Sequence, residues 1–242
     1  MIKKIIKFLI SKKIQEYIQR LLRQGSVFKG LVQGYGQWKT IRDCSSVDKS
    51  GAPIPWYTYP TTEFLSHLDL SRFKVFEYGS GNSTLWWAAR SKQVTSIEDD
   101  ELWYEKIKCS LKGKNVEYRL EKSPHKYFAM ATNDFDVFIV DGKYRHECLK
   151  HIVNLKKTVE KKRGGHNGIM LILDNSDWYP NTVRFLQEKL GWMQIDFHGY
   201  GPINDYTWTT SIFVNPKKYS ELCYFRALKS QCSIQGVADD DN

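Results

Sequence analysis

Val75-Phe76-Glu77-Tyr78-Gly79-Ser80-Gly81-Asn82-Ser83-Thr84 runs from an apolar strand pattern into a turn of small residues, and a helical pattern begins directly behind it. Glycines between a strand and a helix let a ligand approach the backbone closely, although such a turn also serves as plain connection. About twenty residues further on, the next strand pattern ends at Glu98, where a carboxylate can accept hydrogen bonds from both hydroxyls of a ribose. The two features together point to a nucleoside ligand. A dinucleotide site usually reads Gly-x-Gly-x-x-Gly, and here Thr84 stands in the place of the third glycine.

Outward from this turn the chain alternates between short apolar runs and helical stretches. Residues 73–78, 94–98, 116–120, 137–140 and 170–173 read as strands, most too apolar for a sheet with one wet face. Helices fit residues 84–90, 102–111, 146–161 and 182–190. Residues 193–198 and 209–214 read as two more strands around a short glycine- and proline-bearing loop, hence an antiparallel pair at one edge. The prediction is an α/β, doubly wound, mostly parallel seven-stranded sheet with an antiparallel edge strand. Residues 61–216 form the main domain in this reading, 25–60 a linker or lid rich in Gly and Pro, and 217–242 a C-terminal extension.

The 242 residues carry a formal charge of +9, and 41% of them are hydrophobic, which excludes a disordered or fibrous chain. Residues 1–30 hold eight Lys and Arg against Glu16 alone, so +7 of the charge sits in one arm and +2 in all the rest. That distribution argues against a nucleic-acid surface across the domain. Residues 1–24 read as a basic amphipathic helix, either a cap or homodimer partner or, through residues 1–23, a peripheral membrane contact. No apolar run approaches the roughly 20 residues of a spanning helix. Lys7 splits the apolar start and no small-residue cleavage site follows, which predicts a retained, cytoplasmic chain. Five cysteines form no Cys-x-x-Cys pair of zinc or redox type, which suits a reducing compartment.

Glu77-Tyr78-Gly79-Ser80-Gly81 resembles the first motif of the class I S-adenosylmethionine-dependent methyltransferases, and Glu98 resembles their ribose-binding acid; the resemblance spans residues 60–215. It implies a Rossmann-like methyltransferase fold. It also implies S-adenosyl-L-methionine held by Gly79, Ser80, Gly81, Ser83 and Thr84, with Glu98 on the ribose and Asp99 near the adenine. Glu77 would order the loop or face the ammonium of the ligand.

Asp141, Asp174 and Asn175 follow two further strands, and ligands of open sheets bind at such carboxyl ends. The trio resembles the cation site of catechol-type O-methyltransferases. That resemblance implies Mg2+ on Asp141, Asp174 and Asn175, lowering the pKa of a bound hydroxyl. The plainer alternative is that these residues cap helices and bridge loops. Lys143 is the candidate general base, with His146 and Arg145 as alternatives, Arg145 being better suited to clamp an anion. Trp178 and Tyr179 are candidate acceptor contacts. The expected activity is methyl transfer to oxygen of a hydroxylated small molecule or saccharide. The alternatives are a non-catalytic methyltransferase-like binding module and a nucleic-acid methyltransferase. The latter type often carries Asn or Asp-Pro-Pro-aromatic where this chain has Asp141-Gly142-Lys143-Tyr144.

Overall fold

The computed structural model describes residues 11–161, 168–222 and 230–233. The first ten residues of the predicted arm, and residues 223–229 and 234–242 of the predicted extension, lie outside the described residues.

Seven strands form one sheet in the order β3-β2-β1-β4-β5-β7-β6. They are β1 (Lys74–Tyr78), β2 (Gln93–Glu98), β3 (Val116–Leu120), β4 (Val137–Val140), β5 (Met170–Leu173), β6 (Met193–Gly199) and β7 (Trp208–Val214). The first five are mutually parallel, and β7 is antiparallel to both β5 and β6. The sheet is therefore the predicted mostly parallel, doubly wound, Rossmann-like arrangement, with one refinement. The reversed strand is β7, one place in from the edge, and β6 is the edge itself.

Helices pack on both faces because β4 and β5 are apolar at every position. Val137 and Ile139 of β4 face a layer with Leu65 of α3 (Tyr59–Ser66) and Trp86 and Trp87 of α4 (Asn82–Ala88). Phe138 and Val140 face the other way, onto Leu149 and Ile152 of α7 (Arg145–Lys161) and Leu186 of α8 (Pro180–Leu190). That is the period of two expected of a strand with both faces covered. The short α5 (Glu101–Lys108) starts where the Asp100 carboxylate accepts the Trp103 N–H at 2.9 Å, and α6 (Pro124–Phe128) starts at a proline.

Residues 11–66 hold more regular structure than their composition predicts. Helix α1 (Lys12–Lys29) passes straight through Gly25, where the periodicity appeared to stop, and continues into a π-helical turn, Gly30–Gly34. Helix α2 (Gln37–Asp43) follows within the stretch expected to be linker or lid, and α3 begins at its last two residues. This segment is tied to the sheet's cleft side. Gln37 Nε2 donates to the Asn204 carbonyl (3.0 Å), Thr40 Oγ1 accepts the Ile203 N–H (2.8 Å), and Asn82 Nδ2 donates to the Ser46 carbonyl (2.6 Å).

Candidate functional site

The turn after β1 is closed around backbone. Gly79 has φ +90°, and a Cβ there would lie 2.9 Å from the Gly142 nitrogen, so the loops after β1 and β4 touch through glycines. Glu77 does not face a ligand. It is buried, and its two carboxylate oxygens accept the hydroxyls of Ser83 (2.5 Å) and Thr84 (2.6 Å). Thr84 Oγ1 also accepts the Gly81 N–H at 3.1 Å, so Glu77 orders the loop and the start of α4 together. Burial lifts the Glu77 carboxyl to about 7, against the pull of those hydroxyls.

Glu98 ends β2 beside this loop, as expected, but both of its oxygens are engaged. Oε1 accepts the N–H groups of Asp99 (3.0 Å) and Asp100 (3.1 Å), and Oε2 accepts the Ser80 hydroxyl (2.6 Å), which lies 2.8 Å from the Tyr118 hydroxyl. Ser80 thus sits on the oxygen that a ribose would need. Asp99 is paired with Lys143 at 2.7 Å. This corrects the expectation of Lys143 as base: the hydrogen bond and charge of Asp99 raise its pKa and hold it as ammonium, 62% exposed to solvent. His146 is likewise turned aside, with Nδ1 2.9 Å from Thr182 Oγ1 and its ring against Phe185.

Arg145 stands between the three residues expected to hold a metal. Nε donates to the Gly142 carbonyl (3.1 Å). Nη1 donates to the Asp174 carbonyl and to Asn175 Oδ1 (3.0 Å), and Nη2 to the Asp141 carbonyl (3.1 Å) and Asp141 Oδ1 (3.0 Å). A guanidinium has five donors, and all five are used. Asp174 uses one carboxylate oxygen, Oδ1, to accept from Trp208 Nε1 (3.0 Å) and the Thr210 hydroxyl. Antiparallel β7 makes this contact, since it begins where β5 ends. The residues therefore do not fit Mg2+: the cation at the centre is Arg145, which takes up Asp141 Oδ1 and Asn175 Oδ1, and Asp174 Oδ1 is held by β7. Among the described residues no group of three or more His, Cys, Asp or Glu suits a metal ion. Arg145 is not an anion clamp either, because no donor is left over. Asn175 adopts φ +52°, a left-handed conformation that Asn tolerates, and this brings its side chain back to Arg145. Burial raises the Asp141 and Asp174 carboxyls above the ordinary range; the charge of Asp141 adds to the rise at Asp174, and Arg145 opposes both.

Two chambers open over these strand ends and share Trp56, Ser80 and Asp141. One, about 350 Å³, is walled by the glycine loop, Ser45, Ser46 and Trp103. The other, about 420 Å³, is walled by Trp178, Tyr206, Trp208, Asn204, Asn175 and Arg145. Trp178 is a wall as expected, whereas Tyr179 lies under the Arg145 guanidinium, 5.3 Å from its ring centre. Trp86 and Trp87 are core. Trp56, Asn204, Tyr206 and Trp208 carry no signal in the sequence; they come from the expected linker, the loop before β7 and the first residue of β7, where no periodicity marks a functional side chain.

The sequence matches no protein-family model and no curated protein. Similar solved structures include precorrin 8W decarboxylase of Methanobacterium thermoautotrophicum, at 17% identity and TM-score 0.47, over 72% of this chain and 97% of that one. An rRNA methylase of Streptococcus thermophilus is similar at 14% identity and TM-score 0.42, over 60% of this chain and 89% of that one. The N-methyltransferase NodS of Bradyrhizobium japonicum, in complex with S-adenosyl-L-homocysteine, is similar at 13% identity and TM-score 0.41, over 60% of this chain and 79% of that one.

Proposed function

We propose that this chain is an S-adenosylmethionine-dependent methyltransferase that methylates oxygen on a hydroxylated small molecule or saccharide. The observation that carries the reading is the adjoining pair of chambers, one lined by Ser80, Gly81, Asn82 and Ser83 with Ser80 bonded to Glu98, the other by aromatic and amide side chains, meeting at Asp141. The chain fits the cofactor in two ways. Gly81 borders the chamber with only Trp103 within 4 Å of where a Cβ would stand, leaving the backbone open to a ligand, and the buried Glu98 stands at the tip of the neighbouring strand.

When bound, S-adenosylmethionine supplies an electrophilic methyl group. Asp141 is the base: Arg145 occupies Oδ1, and Oδ2 takes the proton of the acceptor hydroxyl as that oxygen becomes a nucleophile. A pKa raised by burial brings Asp141 nearer to neutrality, which improves a carboxylate as a base. Trp56, Trp178 and Tyr206 present flat faces for the C–H surface of a sugar or an aromatic ring, and Asn175 and Asn204 stand at the same wall. Titration calorimetry with S-adenosylmethionine tests the reading. A saturating one-site heat that disappears in Gly79→Val is expected, and an absence of heat with the wild-type chain overturns the proposal. Transfer of a labelled methyl to a panel of hydroxylated acceptors then identifies the second substrate.

A further inference from the structure

Helix α1 has no buried residue, yet it is built to bury one face. At 100° per residue, Ile14, Tyr17, Ile18, Leu21 and Phe28 fall within one stripe about 100° wide, flanked by Leu22. Lys12, Lys13, Arg20 and Arg23 fall on the opposite side with Glu16. The stripe lies open: Tyr17 is 61%, Leu22 66% and Phe28 66% exposed. It does not end with the helix. Phe28 and Val32 continue into a groove of about 490 Å³ that Trp38 of α2 closes and that Lys39 and Lys49 line. Trp38 and Ile41 are themselves exposed.

We infer that α1 and the Phe28–Trp38 groove form one docking face for an anionic lipid bilayer. Charge selects this occupant. Residues 12–29 carry five Lys and Arg against Glu16, a local +4, so pairing two copies through this face would bring +8 together, whereas acidic headgroups are drawn to it. A helix with low overall hydrophobicity, a basic polar face and Phe, Trp and Leu on the other lies in the interfacial plane instead of crossing the bilayer. No described helix is long and apolar enough to cross a membrane. The inference does not depend on the methyl-transfer reading.

Flotation of the full chain with vesicles of phosphatidylcholine, alone or mixed with phosphatidylglycerol, tests it. Binding to the mixed vesicles is expected to exceed binding to the neutral ones by about tenfold or more and to weaken as salt is raised. Leu21→Ser/Leu22→Ser and, separately, Trp38→Ser are expected to reduce it, with cofactor heat and thermal midpoint unchanged. Equal binding to both vesicle types, no binding to either, or a wild-type dimer that Leu21→Ser/Leu22→Ser turns into a monomer would each overturn the assignment.

Discussion

Arg145 and Ser80 decide how the strand-end centre behaves. The Arg145–Asp141 pair is part-buried, and lysine at position 145 offers a point charge in place of a five-donor fork, which leaves several of its acceptors unpaired. Arg145→Lys is therefore expected to lower turnover by about 100-fold or more, with no recovery on adding magnesium, while EDTA leaves the wild-type rate unchanged in a methyl-transfer assay. Ser80 holds the Glu98 oxygen that a ribose hydroxyl would use. Ser80→Ala should tighten S-adenosylmethionine binding by up to about tenfold, and Glu98→Ala should weaken it by at least that much, both read by calorimetry. Opposite signs for the pair separate competition at Glu98 from a purely structural role. At this scale the sequence showed which acids converge, because Asp141, Asp174 and Asn175 all end strands. It did not show that a guanidinium on the first residue of α7 would reach all three, since that depends on the left-handed turn at Asn175 and on β7 holding Asp174 Oδ1.

The β1 turn and α4 act as one unit through Glu77, and this unit responds to pH. Its carboxyl is raised in the folded chain to about 7, above the roughly 4.3 of an unfolded glutamate. The native state therefore binds the extra proton. The resulting contribution to stability is complete below the unfolded value and lost as pH rises through about 7. Denaturant unfolding of wild type and Glu77→Gln between pH 5 and 8 should show the wild type losing stability with rising pH relative to the variant. Parallel pH dependences would mean that the two hydroxyls hold Glu77 as a carboxylate throughout. Elements of the sheet were legible to within about a residue because a strand covered on both faces leaves an uninterrupted apolar run, as in Val137–Val140 and Met170–Leu173. Helix α1 was misjudged at Gly25 because an exposed helix tolerates glycine at a cost of about 1 kcal/mol, so a glycine there is a weaker stop than in a packed one. Helices α2 and α3 were missed because each is short and lies among glycines and prolines.

Across the whole molecule the chain divides by job more sharply than by domain. The core of the sheet owes nothing to the side chains of α1. Removing residues 1–23 is accordingly expected to leave the thermal midpoint within about 2 °C of the full chain, a shift below that of about 1 kcal/mol, in a calorimetric or fluorescence melt. A larger fall would mean that the arm packs on the domain in solution. Composition alone located the excess charge, but only the three-dimensional path of residues 30–58 connects it to the cleft. Helix α2 sends Trp38 outward and Gln37 and Thr40 inward, where they clasp the backbone of Ile203 and Asn204 at the rim of the acceptor chamber. One rigid two-turn element thereby sets the angle between landing surface and doorway. A chain that settled on that surface would hold its doorway at a constant height and tilt, and would meet an amphiphilic acceptor by sideways diffusion in two dimensions instead of by capture from bulk.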